Sequence, residues 1–199
     1  MTSSVEILNW INNFGFVEAI DIANKFNKKI ALVYQKLKQL STAGYLQNQK
    51  LIYGSNTIYF LTKTGIKLAQ SPLPLLKNIN LATYHHNLLV VKVSTLLVNK
   101  YKAQFITERQ LKHEQKLKGH ISDGLLLFDN KQIAIELELS PKSKIRRNSI
   151  LKFYLRNFAF DEVWYICKNQ EIKNQLIPFT TKMFFLKLMD LTDILNNKS

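Results

Sequence analysis

Residues 28–62 read KKIALVYQKLKQLSTAGYLQNQKLIYGSNTIYFLT, and this stretch predicts a helix followed by a β-hairpin. The helix is expected over residues 28–42, with Gly44 just past its end. Two strands, residues 45–53 and 57–62, are joined by a turn that contains Gly54. One apolar stripe on the helix is expected to face the core, because its members recur at helical spacing: Ile30, Val33, Leu37 and Leu40.

Two further helices are predicted upstream, over residues 5–12 and 16–26, from apolar residues that recur at helical spacing. Downstream, Pro72 and Pro74 favour an extended connector, so residues 71–81 are predicted to link two domains. Three helices followed by a hairpin is the element order of a winged helix-turn-helix. We therefore assign that domain to residues 1–70.

The charge balance favours a polyanionic partner. The chain carries 28 Lys and Arg against 14 Asp and Glu, a net charge of +14 at pH 7. Such an excess attracts nucleic acid, although AT-rich genomes also encode many lysines regardless of function. No apolar run approaches the ~20 residues of a membrane span, and the N-terminus lacks the pattern of an export signal. We therefore expect a cytoplasmic protein with no membrane association, and its single cysteine, Cys167, excludes an internal disulfide.

The third helix and the hairpin carry the candidate contacts to double-stranded DNA. A helix of this kind fits the major groove, with lysines on phosphates and amides on base edges, while the hairpin reaches the neighbouring backbone or minor groove. The helix has no arginine, so shape readout is as well supported as base readout. Protein contact or dimerisation is the alternative use of such a domain. The candidates are Lys28, Lys29, Gln35, Lys36 and Gln39 on the helix and Lys50, Tyr53 and Asn56 on the hairpin.

The second half of the chain predicts a sheet that carries clustered carboxylates. A helix over 82–100 is followed by strands over 104–111, 120–128 and 132–139, a helix ending at 156 and a strand over 161–168. Since side chains alternate along a strand, Glu136 and Glu138 share one face, and Asp123 on the partner strand converges with them. Glu108 is expected to join them from the preceding strand. The alternative is an edge hairpin whose acids lie in water, but flanking helices predict a sheet covered on both faces.

The pattern Asp123, then Glu136-x-Glu138, before a basic helix resembles the PD-(D/E)XK nuclease-like core. The resemblance implies a restriction-endonuclease-like α/β domain with a mixed central sheet over residues 82–190, and an α+β chain overall. It also implies that Asp123 and Glu136 are Mg²⁺ or Mn²⁺ ligands. Glu138 stands where active members have the lysine that helps activate water, and a displaced lysine would be Lys142, Lys144 or Lys152. The catalytic set, if active, is Asp123, Glu136, Glu138, Lys142 and Lys152.

The densest basic run follows these carboxylates, and we interpret it as a phosphate clamp. Its members are Lys142, Lys144, Arg146 and Arg147. The alternative is a solvated start of a helix.

The whole chain resembles the replication-relaxation and plasmid-mobilisation accessory proteins of bacterial mobile elements. The matching stretches are Leu61-Thr62-x-x-Gly65, Tyr84-His85-His86-Asn87, Ser122-Asp123-Gly124, Ile135 to Ser143 and Ile150-Leu151-Lys152-x-Tyr154. The resemblance implies a DNA-binding accessory role at a plasmid origin, with a relaxase or other transfer proteins as partners, and leaves a homodimer open.

The sequence is therefore compatible with three functions. The first is a non-catalytic accessory factor for plasmid mobilisation or replication that needs no cofactor for binding. The second is a metal-dependent DNA endonuclease, against which the missing lysine counts. The third is a winged-helix transcriptional regulator.

Overall fold

A computed structural model describes residues 2–114 and 119–196, and the chain divides into two compact units, residues 1–95 and 96–199. The chain is of mixed α and β composition. Each unit has its own sheet: three antiparallel strands in the first unit and a mixed sheet of five strands in the second. No helix within the described ranges is long and apolar enough to cross a membrane.

The first unit contains helices packed around a small sheet with strand order β1-β3-β2. Its elements are α1 Ser4–Phe14, β1 Val17–Glu18, α2 Ala19–Phe26, α3 Ile30–Thr42, β2 Leu46–Gln49, β3 Ile58–Leu61 and α4 Lys63–Ala69. The predicted helix over 16–26 therefore begins three residues late. Val17 and Glu18 pair with β3 instead, and the side chain of Asp21 accepts the backbone N–H of Glu18 to start α2.

Local capping residues fix the ends of α3 and its neighbours. Asn27 adopts a left-handed conformation (φ 49°) and ends α2, so the chain turns before α3 begins at Ile30. Gly44 (φ 75°) turns the chain out of α3. Val33, Leu37 and Leu40 of the predicted stripe are buried, as expected, but Ile30 in the first turn is exposed.

The region around the predicted linker packs on the first unit. The Nδ2 of Asn12 donates to the carbonyl of Leu73 at 3.2 Å, and the ring of Tyr84 stacks on Phe16 with centroids 5.6 Å apart. The division into two compact units falls at 95/96, inside a helix, so residues 71–81 lie within the first unit.

The second unit has strand order β4-β5-β6-β7-β8, with β4, β5 and β6 antiparallel and β6, β7 and β8 parallel. A single 3₁₀ turn, Leu81–Thr83, leads into α5, which crosses the division. The elements are α5 Tyr84–Tyr101, β4 Gln104–Thr107, α6 Glu108–Glu114, β5 Gly124–Phe128, β6 Lys131–Glu138, α7 Lys144–Arg156, β7 Glu162–Cys167, α8 Gln170–Asn174, α9 Ile177–Thr180, β8 Leu186–Asp190 and α10 Leu191–Asn196.

The predicted strand over 104–111 is wrong in its second half. Thr107 and Gln110 form a reciprocal cap, in which the Gln110 Oε1 accepts the Thr107 N–H at 2.9 Å and the Thr107 Oγ1 accepts the Gln110 N–H at 3.3 Å. A helix therefore begins at Glu108. Its carboxylate pairs with Lys112 at 2.6 Å on the exposed side of α6, so the expectation that Glu108 joins the carboxylate cluster is also wrong.

The predicted hairpin of β5 and β6 is confirmed. Asp129 and Asn130 both have positive φ (51° and 58°), the geometry of a two-residue turn. Ile133 to Glu138 of β6 are buried on both faces, as is every residue of β7, which confirms the covered sheet. Both glutamates of β6 are therefore interior groups.

Candidate nucleic-acid interface and buried carboxylate cluster

In the first unit, the outer face of α3 is open and polar. Gln35, Lys38, Gln39 and Thr42 follow one another at i, i+3, i+4 and i+7 and line a shallow depression. All four are exposed. The face therefore presents amides, one hydroxyl and an ammonium group to solvent, which are the groups that hydrogen-bond base edges and phosphates.

The segment of the sequence that contains this face has basic residues and no acidic ones. The chain has no Asp or Glu between Asp21 and Glu108, so α3, the hairpin and α4 carry lysines and no carboxylates. Lys28 and Lys29 lie exposed just before α3 begins. Six lysines stand in residues 22–62, which gives this segment a formal charge of one sign.

The predicted contacts on α3 need one addition. Lys28, Lys29, Gln35 and Gln39 are exposed, whereas Lys36 is half-buried at the side of the helix. Lys38 is a candidate that the sequence reasoning missed. Its spacing of three residues from Gln35 places it on the same face and would have identified it.

The predicted contacts on the hairpin differ in their surroundings. Lys50 and Tyr53 lie exposed in the connection between β2 and β3. Asn56 is also exposed, but its Nδ2 donates to the Oε2 of Glu18 at 3.1 Å. Asn56 therefore already has a partner within the first unit.

In the second unit, three carboxylates converge as predicted. Gly124 pairs with Ile135, so Asp123 lies opposite Glu136 across β5 and β6. The Asp123 N–H donates to the carbonyl of Ile135 at 3.1 Å, and its Oδ2 accepts the Leu137 N–H at 2.7 Å. Asp123 is thus held at the beginning of β5 by the backbone of β6.

Glu136 is 3% exposed and makes two close contacts through one oxygen. Its Oε1 lies 2.5 Å from the Nε2 of His120 and accepts a hydrogen bond from the hydroxyl of Tyr154 on α7. Burial raises the pKa of Glu136, and the charge of Asp123 adds to that effect, while the contacts with His120 and Tyr154 oppose it. Burial and the neighbouring Glu136 carboxylate also hold the pKa of Tyr154 well above its usual value.

Glu138 is 5% exposed and forms an ion pair with Lys142, four residues along the chain. Burial raises the pKa of Glu138, and the Lys142 ammonium counteracts this. The sequence places Glu138 where active nuclease-like proteins have a catalytic lysine. The observed contact is the one with Lys142.

Groups of the protein already contact the carboxylates that the resemblance assigns to a Mg²⁺ ion. Such an ion requires octahedral oxygen ligands at about 2.0–2.1 Å. Here, hydrogen-bonding groups of the protein contact an oxygen of each acid: Leu137 on Asp123, His120 and Tyr154 on Glu136, and Lys142 on Glu138. No group of three or more His, Cys, Asp or Glu side chains in residues 2–114 and 119–196 is placed to hold a metal. Metal ligation by Asp123 and Glu136 stays a prediction, and no reaction step is derived from it.

The predicted phosphate clamp is divided between engaged and exposed residues. Lys142 pairs with Glu138, and the Nη1 of Arg147 donates to the Oε1 of Gln175 at 2.6 Å. Lys144 and Arg146 are exposed in the first turn of α7. Lys152, offered as a displaced catalytic lysine, lies on the exposed face of α7, whereas Tyr154 points to the carboxylates.

Sequence reasoning missed the two partners of Glu136. No spacing in the sequence marks His120, and Tyr154 occurs in the stretch Ile150-Leu151-Lys152-x-Tyr154 without a predicted role. A buried glutamate on a central strand requires buried donors, so the helix after β6 was the place to search for one.

No family model matches the chain, and no curated protein matches it. Among solved structures, it is similar to the protein VC1899 from Vibrio cholerae, at 13% identity and with a TM-score of 0.40. That similarity covers 97% of this chain and 48% of the other, so the chain spans about half the length of that protein. A likeness of this degree assigns neither a fold nor a function.

Proposed function

We propose that the chain binds duplex DNA through a winged helix-turn-helix formed by its first unit, as an accessory factor in plasmid mobilisation or replication. The observation that carries the proposal is the exposed face of α3, which combines Gln35, Lys38 and Gln39 in a segment without carboxylates. Three helices and an antiparallel hairpin in this order are consistent with such a domain. The accessory role rests on the family resemblance of the sequence.

In this proposal the second unit is non-catalytic. Its nuclease-like carboxylates are supported as structural groups by their internal donors, above all Lys142 on Glu138 and Tyr154 on Glu136. The Lys142 ammonium, offered as a displaced catalytic group, is engaged by Glu138.

Two double variants with equal net charge test the DNA interface. We expect Lys28→Ala/Lys38→Ala to weaken binding to a short duplex by about 10-fold or more, since it removes two phosphate contacts at α3. Lys63→Ala/Lys67→Ala on α4 removes the same charge from exposed positions and should weaken binding by about 2-fold. Equal losses in the two variants would contradict a localised interface.

Plasmid nicking tests the non-catalytic assignment. Supercoiled plasmid incubated with the protein and Mg²⁺ or Mn²⁺ should stay supercoiled, as it does with EDTA. Nicking that needs metal and is lost in Asp123→Asn/Glu136→Gln would instead make the protein an endonuclease. A footprint over a promoter rather than an origin would favour a transcriptional regulator.

A further inference from the structure

Helix α7 is strongly basic. Its sequence, KIRRNSILKFYLR, has five basic residues and no acidic one. Four of the five are exposed, and the helix is about 20 Å long at 1.5 Å per residue. The exposed members are Lys144, Arg146, Lys152 and Arg156.

Two phenyl rings lie in water at the end of the sheet where α7 terminates. Phe158 follows α7 and is 94% exposed, and Phe184 precedes β8 and is 90% exposed. Their loops lead into β7 and β8, which run parallel with Val163 beside Leu186, so both rings belong to the same end of the sheet. Side chains of this size are normally buried, and neither ring contributes to the core.

The acidic groups at this end have partners of their own. Glu162 lies between Lys131 at 3.0 Å and Lys187 at 2.7 Å. The Oδ2 of Asp161 accepts the backbone N–H of Gln132 at 2.7 Å. Lys131 and Lys187 thus counter the charge of Glu162, whereas α7 has no acidic residue of its own.

We infer that α7 together with Phe158 and Phe184 forms a binding surface for single-stranded nucleic acid. The phosphates lie along the cations of α7, and unstacked bases stack on the two phenyl rings. A duplex keeps its bases stacked on each other and offers no face to a ring, whereas a single strand offers one per nucleotide. The combination of basic helix and exposed rings therefore selects a single strand, and this inference does not rest on duplex binding by the first unit.

The test measures binding of labelled oligothymidine and oligouridine, each of about 20 nucleotides, to the full chain. Phe158→Ala/Phe184→Ala should lower the affinity for at least one of them by about 10-fold or more. Phe158→Tyr/Phe184→Tyr keeps two stacking rings and should retain the wild-type affinity. The control Leu81→Ala/Ile177→Ala removes two exposed apolar side chains elsewhere and should change it by less than about 2-fold.

Comparison of the two oligonucleotides shows whether the strand is DNA or RNA. Wild-type affinity in Phe158→Ala/Phe184→Ala, or no binding of either strand by the wild type, would overturn the inference. Duplex binding by the same variants should be unchanged, because the stacked bases of a duplex offer no face to Phe158 or Phe184. Lys28→Ala/Lys38→Ala should lose duplex binding and keep oligonucleotide binding. That result would show that the surface on α7 and the face of α3 bind nucleic acid independently.

Discussion

Asp21 is a buried acid that also begins a helix. It is 5% exposed, and its Oδ2 accepts the Glu18 N–H at 3.0 Å. Burial raises its pKa from 3.8 to about 6, with the nearby Glu18 charge acting in the same direction and the backbone hydrogen bond opposing it. The folded state therefore holds a proton on Asp21 at pH values where the unfolded chain has lost it.

We expect Asp21→Asn to remove part of the pH dependence of stability. Because the folded pKa is raised, Asp21 favours folding below pH 4, and this contribution is lost as the pH rises from about 4 to about 6. The free energy of unfolding of the variant, measured relative to the wild type, should therefore be higher at about pH 8 than at about pH 4 by up to about 3 kcal/mol. Urea unfolding of both proteins at the two pH values measures the difference.

Glu171→Gln is the control, since it removes one exposed carboxylate from α8. A difference between Asp21→Asn and the wild type that stays constant from acid to neutral pH would show that Asp21 does not titrate in this way.

The pair of Glu138 and Lys142 supports a second prediction at this scale. Lys142→Met should destabilise the protein by about 3 kcal/mol near neutral pH, because it leaves a buried carboxylate without its cation. Glu138→Gln/Lys142→Met should recover most of that loss. Thermal unfolding of the single and double variants gives the coupling, and additive losses would contradict the pairing.

At the scale of elements, Gly65 sets the distance between α4 and Tyr45, the residue that precedes β2. A Cβ added at Gly65 would lie 2.1 Å from the backbone carbonyl oxygen of Tyr45, which also accepts the Thr62 N–H at 3.1 Å. The obstacle is backbone, so the helix or the strand must move to make room.

Gly65→Ala should therefore destabilise the protein by about 1–3 kcal/mol despite the higher helix propensity of alanine. Lys67→Ala, an exposed change on the same helix, should alter the free energy of unfolding by less than about 0.5 kcal/mol. Denaturant melts of the two variants compare them, and an equal or higher stability of Gly65→Ala would refute the close approach.

Sequence patterns predicted most elements and missed those that depend on partners. The apolar stripe of α3 and the turn at Asp129 and Asn130 follow from local spacing and turn chemistry. The two-residue strand β1 exists only because β3 lies beside it, and no local pattern marks it. Thr107 and Gln110 have the spacing of a helix cap at the start of α6, but the apolar run before them predicted a strand that continues to residue 111.

The carboxylate cluster shows the same limit. Alternation along β6 predicted that Asp123, Glu136 and Glu138 converge, since register alone decides that. Their partners come from a loop and a helix, His120 and Tyr154, whose approach depends on tertiary packing. Sequence spacing therefore identified the acids and not the groups that engage them.

At the scale of the whole molecule, the net positive charge is large and the acidic residues are unevenly distributed along the chain. The net charge of +14 includes a stretch between Asp21 and Glu108 that has no acidic residue, and helix α7, which has none either. Composition predicts a polyanionic partner, and the structure shows that Lys38 lies on an open face with Gln35 and Gln39. The face of α3 and helix α7 belong to different units and are expected to act on different forms of nucleic acid.

The salt dependence of duplex binding tests the central claim most directly. Each phosphate contact contributes about 0.9 to the slope of log K against log salt, so Lys28→Ala/Lys29→Ala/Lys38→Ala should reduce the magnitude of the wild-type slope by nearly 3. Fluorescence anisotropy across a series of salt concentrations gives both slopes. A reduction of that size would support the face of α3 as the DNA interface, and an unchanged slope, or an affinity independent of salt, would contradict it.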